Sequence, residues 1–247
     1  MLTSCSSLVT RLAPCMAGHT QVWRASLQNQ PSAVELDRLA STEHAKAQRF
    51  VHEVHRRRYL AARVALRAIL AMETGMAPRD IPINYGPFGK PMIDARFGIY
   101  FNVSHCNDVA LVAVSRKGEV GVDIECPRAI ADALDIARVH FSPAEREQLS
   151  DIRNGDLNDA FLRGWTRKEA CLKATGSGLA LASSALETGL CAERRTVSFA
   201  PLRLPYVVEV QSFVGSDAEI YSVASLLVDS GTVPLASPYG CPRAWKG

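Results

Sequence analysis

The sequence predicts an α+β protein, and three features carry that expectation. Strand-like runs flank two long helical stretches; the order strand, long helix, several strands occurs twice; and no low-complexity segment or long linker separates the two runs. The join falls near residues 116–118, giving an expected N-terminal half at 21–117 and a C-terminal half at 118–233. Residues 1–20 read as a loose extension and 234–247, rich in Pro and Gly, as an irregular tail. With 247 residues, 47% of them hydrophobic and 21% charged, the chain has enough apolar material for a proper core.

The elements follow in order. "QVWRASL" (21–27) is a short strand, and a long helix is expected from about Thr42 to Met72. Phe50, Val54, Leu66, Ile69 and Leu70 supply its apolar stripe, and Gly75 with Pro78 stops it. "IPINY" (81–85) reads as a strand, "GPFGKP" (86–91) as a turn, and "GIYFNVS" (98–104) and "VALVAVS" (109–115) as adjacent strands. After the turn "RKGE" comes "GVDIE" (121–125), where Val120, Val122 and Ile124 share one strand face and Gly121, Asp123 and Glu125 the other. "SPAE" (142–145) opens a helix with Ser142 as N-cap, Pro143 in the first turn and Glu145 closing a capping box. A second helix runs from about Asp159 to Thr175 and ends at Gly176; strands are expected at 206–213 and 219–228.

Charge and cysteine usage narrow the function classes. A net charge of +3 is too small to argue for nucleic acid, though it leaves room for a local basic patch facing an anionic ligand. No run approaches the roughly 18 apolar residues of a membrane span. Seven cysteines, without CxxC or paired spacing, fit reduced thiols in the cytoplasm better than a disulfide framework or a thiolate metal site.

Four stretches carry chemistry. Asp123 and Glu125 lie on one strand face about 6.5–7 Å apart, so they either meet water or converge on a metal ion. In "FLRGWTRKEACLKATGSGL" (161–179), Phe161, Trp165 and Leu172 form an apolar face, with Glu169 and Lys173 as i, i+4 neighbours beside it. Taken alone, that pair and Lys168 read as surface charge. In "FNVSHC" (101–106), Ser104 and His105 point to opposite strand faces, which makes a poor nucleophile–base pair and suits anion contacts better. Lys90, held between Gly89 and Pro91, is either a solvated loop lysine or a cation fixed against a ligand; the spacing is not that of a phosphate-binding P-loop. "HEVHRRR" (52–58) lacks zinc-protease spacing, and Arg56 and Arg57 read as an exposed basic face.

Taken in order, GKP, FNVSH, GVDIE and WTRKEACLKATGSGL resemble the 4′-phosphopantetheinyl transferases of the surfactin-synthetase-activating type, clearly over about residues 20–190 and more weakly over the final strands. The resemblance implies a pseudo-dimer, two similar α+β halves in one chain with coenzyme A in the cleft between them, so that a monomer is complete. It implies Mg²⁺-dependent transfer of 4′-phosphopantetheine from coenzyme A to a serine of an apo acyl or peptidyl carrier protein, with 3′,5′-ADP leaving. By the same resemblance Asp123, Glu125 and Glu169 hold the Mg²⁺, Glu169 is also the candidate base for the carrier serine, and Lys173 neutralises the leaving phosphate. Ligation would lower the basicity of Glu169, so both roles on one carboxylate stand in tension. Ser104 and His105 match positions that hold the coenzyme phosphates, Lys90 and Pro91 flank the adenine or 3′-phosphate, and Lys46 and Arg58 align with 3′-phosphate ligands. Where some relatives carry a lysine three residues before Lys46, this chain has Glu43. An acidic carrier protein is the expected partner, with no nucleic acid and no membrane. Two rival readings use the same residues: a Mg²⁺-dependent hydrolase of coenzyme A or another pyrophosphate, and a non-catalytic coenzyme A-binding regulator.

Overall fold

A computed structural model describes residues 9–13, 15, 19–152, 156–176, 181–199 and 206–227. It is a mixed helix and sheet structure with two four-stranded antiparallel sheets, and one long helix packs against each. The first sheet has the order β1 (Val9–Arg11), β2 (Thr20–Ser26), β6 (Val109–Ser115), β5 (Tyr100–Cys106). The second has the order β7 (Val120–Glu125), β10 (Ile220–Leu226), β9 (Tyr206–Val214), β8 (Arg195–Phe199). A two-residue hairpin, β3 (Asn84–Tyr85) with β4 (Pro91–Met92), stands apart from both.

The first half departs from expectation in three places. The helix expected over 42–72 is two helices, α2 (Ser41–Ala47) and α3 (Glu53–Thr74), which follow a single turn, α1 (Ala33–Leu36). The break has a physical cause in Glu43. Its carboxylate caps the start of α2 through the Ala40 amide, and it pairs with Arg63 and Arg67 of α3, which folds α2 back on α3. Val54, expected in the apolar stripe, is 39% exposed, and the buried face of α3 begins at Leu60. The N-terminal segment is not all loose either: β1 pairs with β2 in register Thr10↔Arg24, and Cys15 bonds Thr20 through both backbone groups. Of "IPINY" only Asn84–Tyr85 is strand, because Ile81 turns into the core under α3.

In the second half the capping box at Ser142 opens α5 (Pro143–Asp151) as expected, and α6 (Leu157–Thr175) ends on a left-handed Gly176. The sequence reading missed α4 (Ala133–His140) and the edge strand β8. The apolar face of α6 divides between two clusters: Phe161 stacks on Phe141 near α4 and Trp165 on Phe161, whereas Leu172 packs under β8 and β9. The expected tail, 234–247, lies outside the described residues.

Two contacts place the site. Strands β5 and β7 are the facing edges of the two sheets, and they meet through β5 side chains. Asn102 Oδ1 accepts the Val122 amide at 3.0 Å, and Cys106 Sγ accepts the Cys126 amide at 3.0 Å. An edge strand presents unpaired N–H groups, and here side chains of the other sheet satisfy them. Behind this seam Val120, Val122 and Ile124 share a core with Val22, Leu111 and Ala113 of the first sheet.

The second contact is on the other face of β7. A Cβ on Gly121 would stand 2.0 Å from the Ala170 carbonyl oxygen and 2.4 Å from the Ala174 nitrogen, so α6 lies directly on the strand backbone. Only a residue without a side chain permits this approach. Gly121→Ala must push α6 off β7; we expect a stability loss of about 3 kcal/mol in urea unfolding. Gly86→Ala, where the nearest atom is the flexible Met92 Cε at 3.5 Å, should stay within about 0.5 kcal/mol.

Candidate active site

The approach at Gly121 brings the last turns of α6 over the acidic face of β7. Asp123, 6% exposed, accepts hydrogen bonds at Oδ1 from Ser104 Oγ at 2.9 Å and Lys173 Nζ at 2.5 Å. Lys173 Nζ also donates to Ser104 Oγ at 3.1 Å, closing a triangle of residues from β5, β7 and α6. Asp123 Oδ2 is buried and has no hydrogen-bond partner. Burial pushes the Asp123 carboxyl above its ordinary pKa; Lys173 and Ser104 oppose the shift and Glu125 adds to it. Glu169, half-buried, is likewise pushed up, first by burial and then by the charge on Asp123. Among the described residues Glu169 makes no hydrogen bond or ion pair.

The family resemblance implied that Asp123, Glu125 and Glu169 converge on one ion; here their charges act on one another, but they do not form a closed cage. Among the described residues no three Asp, Glu, His or Cys side chains stand close enough to hold an ion together. Lys173 takes Asp123, and Arg128 takes Glu125 at 2.5 Å. Arg128, three residues past Glu125, was not singled out in the sequence, where it reads as an ordinary charge in a turn.

The remaining predicted residues separate into distinct places. Lys90 is no solvated loop lysine. Its ammonium donates to Glu119 Oε2 at 2.5 Å, Ala174 O at 3.0 Å and Val120 O at 3.1 Å, which engages all three of its protons. It therefore straps the β3–β4 hairpin to the start of β7 and the end of α6, while Pro91 pairs with Tyr85 in the hairpin. His105 is exposed, on the opposite face of β5 from Ser104. Arg58 and Arg57 share Asp108 Oδ1, at 2.9 and 2.8 Å, at the β5–β6 turn, so Arg57 is not simply an exposed basic residue. Lys46 lies over the Tyr59 ring at 5.4 Å, in a cleft of about 560 Å³ that Arg49, Phe50 and Tyr85 also line. Phe50, expected in the apolar stripe of the 42–72 helix, instead lines this cleft, and Tyr59 and Tyr85 carried no sequence signal because they come from separate elements.

Lys168 corrects the surface reading outright. It is 1% exposed and ion-paired with Glu145 at 2.6 Å; it also donates to the Ser183 and Leu186 carbonyls. Glu145 accepts in addition from the amides of Ser142, Thr188 and Gly189. Burial alone would raise the Glu145 carboxyl, but the Lys168 ammonium and these amides hold it below its usual pKa. The pair ties α6 to α5 and to the 183–189 segment, one residue before Glu169. Next to it Arg167, also 1% exposed, donates to the Thr188 and Glu193 carbonyls and to Ser212 Oγ.

Comparison with known proteins gives this arrangement a family. Residues 119–212 match the family model described as the 4′-phosphopantetheinyl transferase superfamily, and residues 21–117 match 4′-phosphopantetheinyl transferase, N-terminal. The 4′-phosphopantetheinyl transferase HetI of Nostoc sp. is 37% identical over 170 residues, 67% of this chain and 72% of that protein. The chain belongs to the 4′-phosphopantetheinyl transferase family. A 4′-phosphopantetheinyl transferase of Bacillus subtilis is 33% identical over 154 residues, 61% of this chain and 67% of its own length. AcpT of Escherichia coli, also named a 4′-phosphopantetheinyl transferase, is 36% identical over 121 residues, 49% of this chain and 58% of its own length. The two family models meet at 117 and 119, between the first sheet and β7. Among the described residues no helix is long and apolar enough to cross a membrane.

The buried pair at Glu145 gives two expected outcomes. Lys168→Ala leaves a buried carboxylate without its cation and should lower stability by about 3–5 kcal/mol in urea unfolding. Because the folded Glu145 pKa lies below the unfolded one, its contribution is full above about pH 4.3 and is lost as pH falls through the folded value. The stability gap between the wild type and Glu145→Gln should therefore narrow on acidification below about pH 4.

Proposed function

We propose that this chain transfers 4′-phosphopantetheine from coenzyme A to a serine of an apo acyl or peptidyl carrier protein, releasing 3′,5′-ADP. The observation that carries the proposal is the Ser104–Asp123–Lys173 triangle beside an unpaired, half-buried Glu169, in a chain of this family. Phosphoryl transfer asks for positioning and charge neutralisation more than for covalent chemistry, and the site offers both. Lys173 is placed to meet the negative charge of the leaving phosphate. Ser104 orients Lys173 and Asp123 against each other, so the cation does not wander. Glu169, free of other bonds and raised in pKa, is the group placed to take the proton of the carrier serine.

A magnesium ion fits the donor set. The buried, unpartnered Asp123 Oδ2, with the Glu125 charge acting on Asp123 and both strand acids acting on Glu169, is a hard-oxygen environment short of positive charge. Asp123 and Glu125 would hold the ion, with Glu169 beside them. When bound, it supplies neutralisation of the pyrophosphate. Assigning ligation to the two strand carboxylates and proton removal to Glu169 eases the conflict of roles on one residue.

The coenzyme would lie along the N-terminal basic groups, with Lys46 and Arg49 facing phosphate and Tyr59 or Tyr85 facing the base. Lys90 serves this reading as the strap that holds the Tyr85 hairpin and the end of α6 together. The two sheet-and-helix units would be the halves of a pseudo-dimer, complete as a monomer.

The test incubates the protein with coenzyme A, Mg²⁺ and several apo-carriers, and reads carrier mass by mass spectrometry. We expect a gain of one phosphopantetheine, with 3′,5′-ADP released only when the acceptor serine is present. Cleavage of coenzyme A without a carrier would instead establish the hydrolase, and binding without turnover the regulator. Lys173→Ala should lower turnover by about two orders of magnitude with carrier binding little changed, and Asp123→Ala should abolish Mg²⁺-dependent modification.

A further inference from the structure

The β5–β7 seam ends in two thiols that the transfer reaction does not use. Cys106 is the last residue of β5 and Cys126 follows the last residue of β7. Along the seam, positions 20 residues apart face each other: Asn102 meets Val122, and Cys106 meets Cys126. At the first of these an amide oxygen caps the backbone N–H of the edge strand. At the second the cap is a sulfur, a weak acceptor, so an oxygen-bearing side chain would serve the backbone better.

The placement suits covalent chemistry instead. Cys106 Sγ sits 3.0 Å from the backbone nitrogen of Cys126, accepting its N–H. A sulfur in van der Waals contact with the backbone of the facing cysteine meets the first condition for a disulfide, a close approach of the two main chains. Both cysteines are half-buried, so a small reagent can reach them, while Cys15 and Cys171 are 7% and 0% exposed. Among the described residues no other two cysteines make such a contact.

We propose that Cys106 and Cys126 are a reversible dithiol site that closes to an intramolecular disulfide, cross-linking the first sheet to β7 immediately beside Glu125 and His105. The oxidant class is a low-molecular-weight disulfide, RSSR. The Cys106 sulfur attacks one sulfur of RSSR; a Cys106–S–S–R bond forms, the R–S–S–R bond breaks, and one RSH leaves with the proton given up by Cys106. The Cys126 sulfur then attacks Cys106 Sγ; the Cys106–Cys126 bond forms and the second RSH leaves with the second proton. Two electrons pass from the cysteine pair to RSSR, and excess thiol reverses both steps. Transient disulfides of this kind are the type found in reducing compartments. The proposal goes beyond the transfer reaction and does not depend on it.

The experiment exposes the full reduced chain to oxidised glutathione, quenches with acid, digests without reductant and maps peptides by mass spectrometry. The exposed Cys191 reports that the oxidant is active. The expected result is a 106-containing peptide joined to a 126-containing peptide, two hydrogens lighter than their sum and separated again by dithiothreitol. Cys106→Ser and Cys126→Ser should each lose the link and instead keep a glutathione adduct on the remaining thiol. The oxidised wild type should melt higher than the reduced form, a shift absent in either variant. Persistent glutathione adducts on Cys106 or Cys126 of the wild type would overturn the proposal. So would links from either to a different cysteine, or both thiols unmodified when Cys191 has reacted.

Discussion

Helix α6 rests on strand β7 with nothing between them but the hydrogen of Gly121. Every feature of the candidate site follows from that contact. It sets the height of Lys173 above Asp123, and it brings Glu169 near enough to the strand carboxylates for their charges to act on it. It also forces the rest of α6 to be held from its flanks. The Lys168–Glu145 pair and Arg167 hold one side, and the Lys90 ammonium caps the C-terminal turn through Ala174. Helix C-termini favour cations near their free carbonyls, so the strap acts where the helix is electrostatically receptive.

The site is built from charged groups that would be costly if left alone. Two carboxylates rise in pKa because they are buried near each other, and a lysine from the helix offsets part of that cost. Such an arrangement stores an unmet demand for positive charge at one point, the Asp123 Oδ2 atom. A structural ion pair has no such residue of demand: Glu145 has every acceptor position occupied by amides, a hydroxyl or Lys168. The contrast between these two buried acids separates a binding site from a rivet.

Much of this was legible in the sequence and some of it was not. Strand β7, the Ser142 capping box and the Gly176 stop rest on local pattern, which sequence carries well, whereas the grouping of Asp123 with Glu169 and Lys173 came only from the family resemblance. Lys168 and Lys90 were read as surface charge or ligand groups, and Glu43 only as a departure from a relative's lysine, because a charged side chain declares nothing about its partner. Each found that partner 20 or more residues away, where only the fold brings it. Helix α4 and strand β8 were missed because their amphipathic signals are short, and the division of the 42–72 helix turns on a tertiary ion pair. The facing of Cys106 and Cys126 was hidden for the same reason, since 20 residues separate them and no spacing rule covers a side-by-side pair of strands in different sheets.

The seam between the sheets has a consequence for how the molecule comes apart. The N–H edge of β7 is closed by side chains of β5, and the inner face of β7 shares its core with β2 and β6. Arg24 of β2 reaches Asp217 and Glu219 beyond β9, and Thr20 meets Ser225 of β10. Neither sheet can melt without stripping the other of partners it needs. The two halves, so easily told apart in the order of their elements, therefore make one cooperative unit. The boundary between them divides the chain's layout but not its thermodynamics.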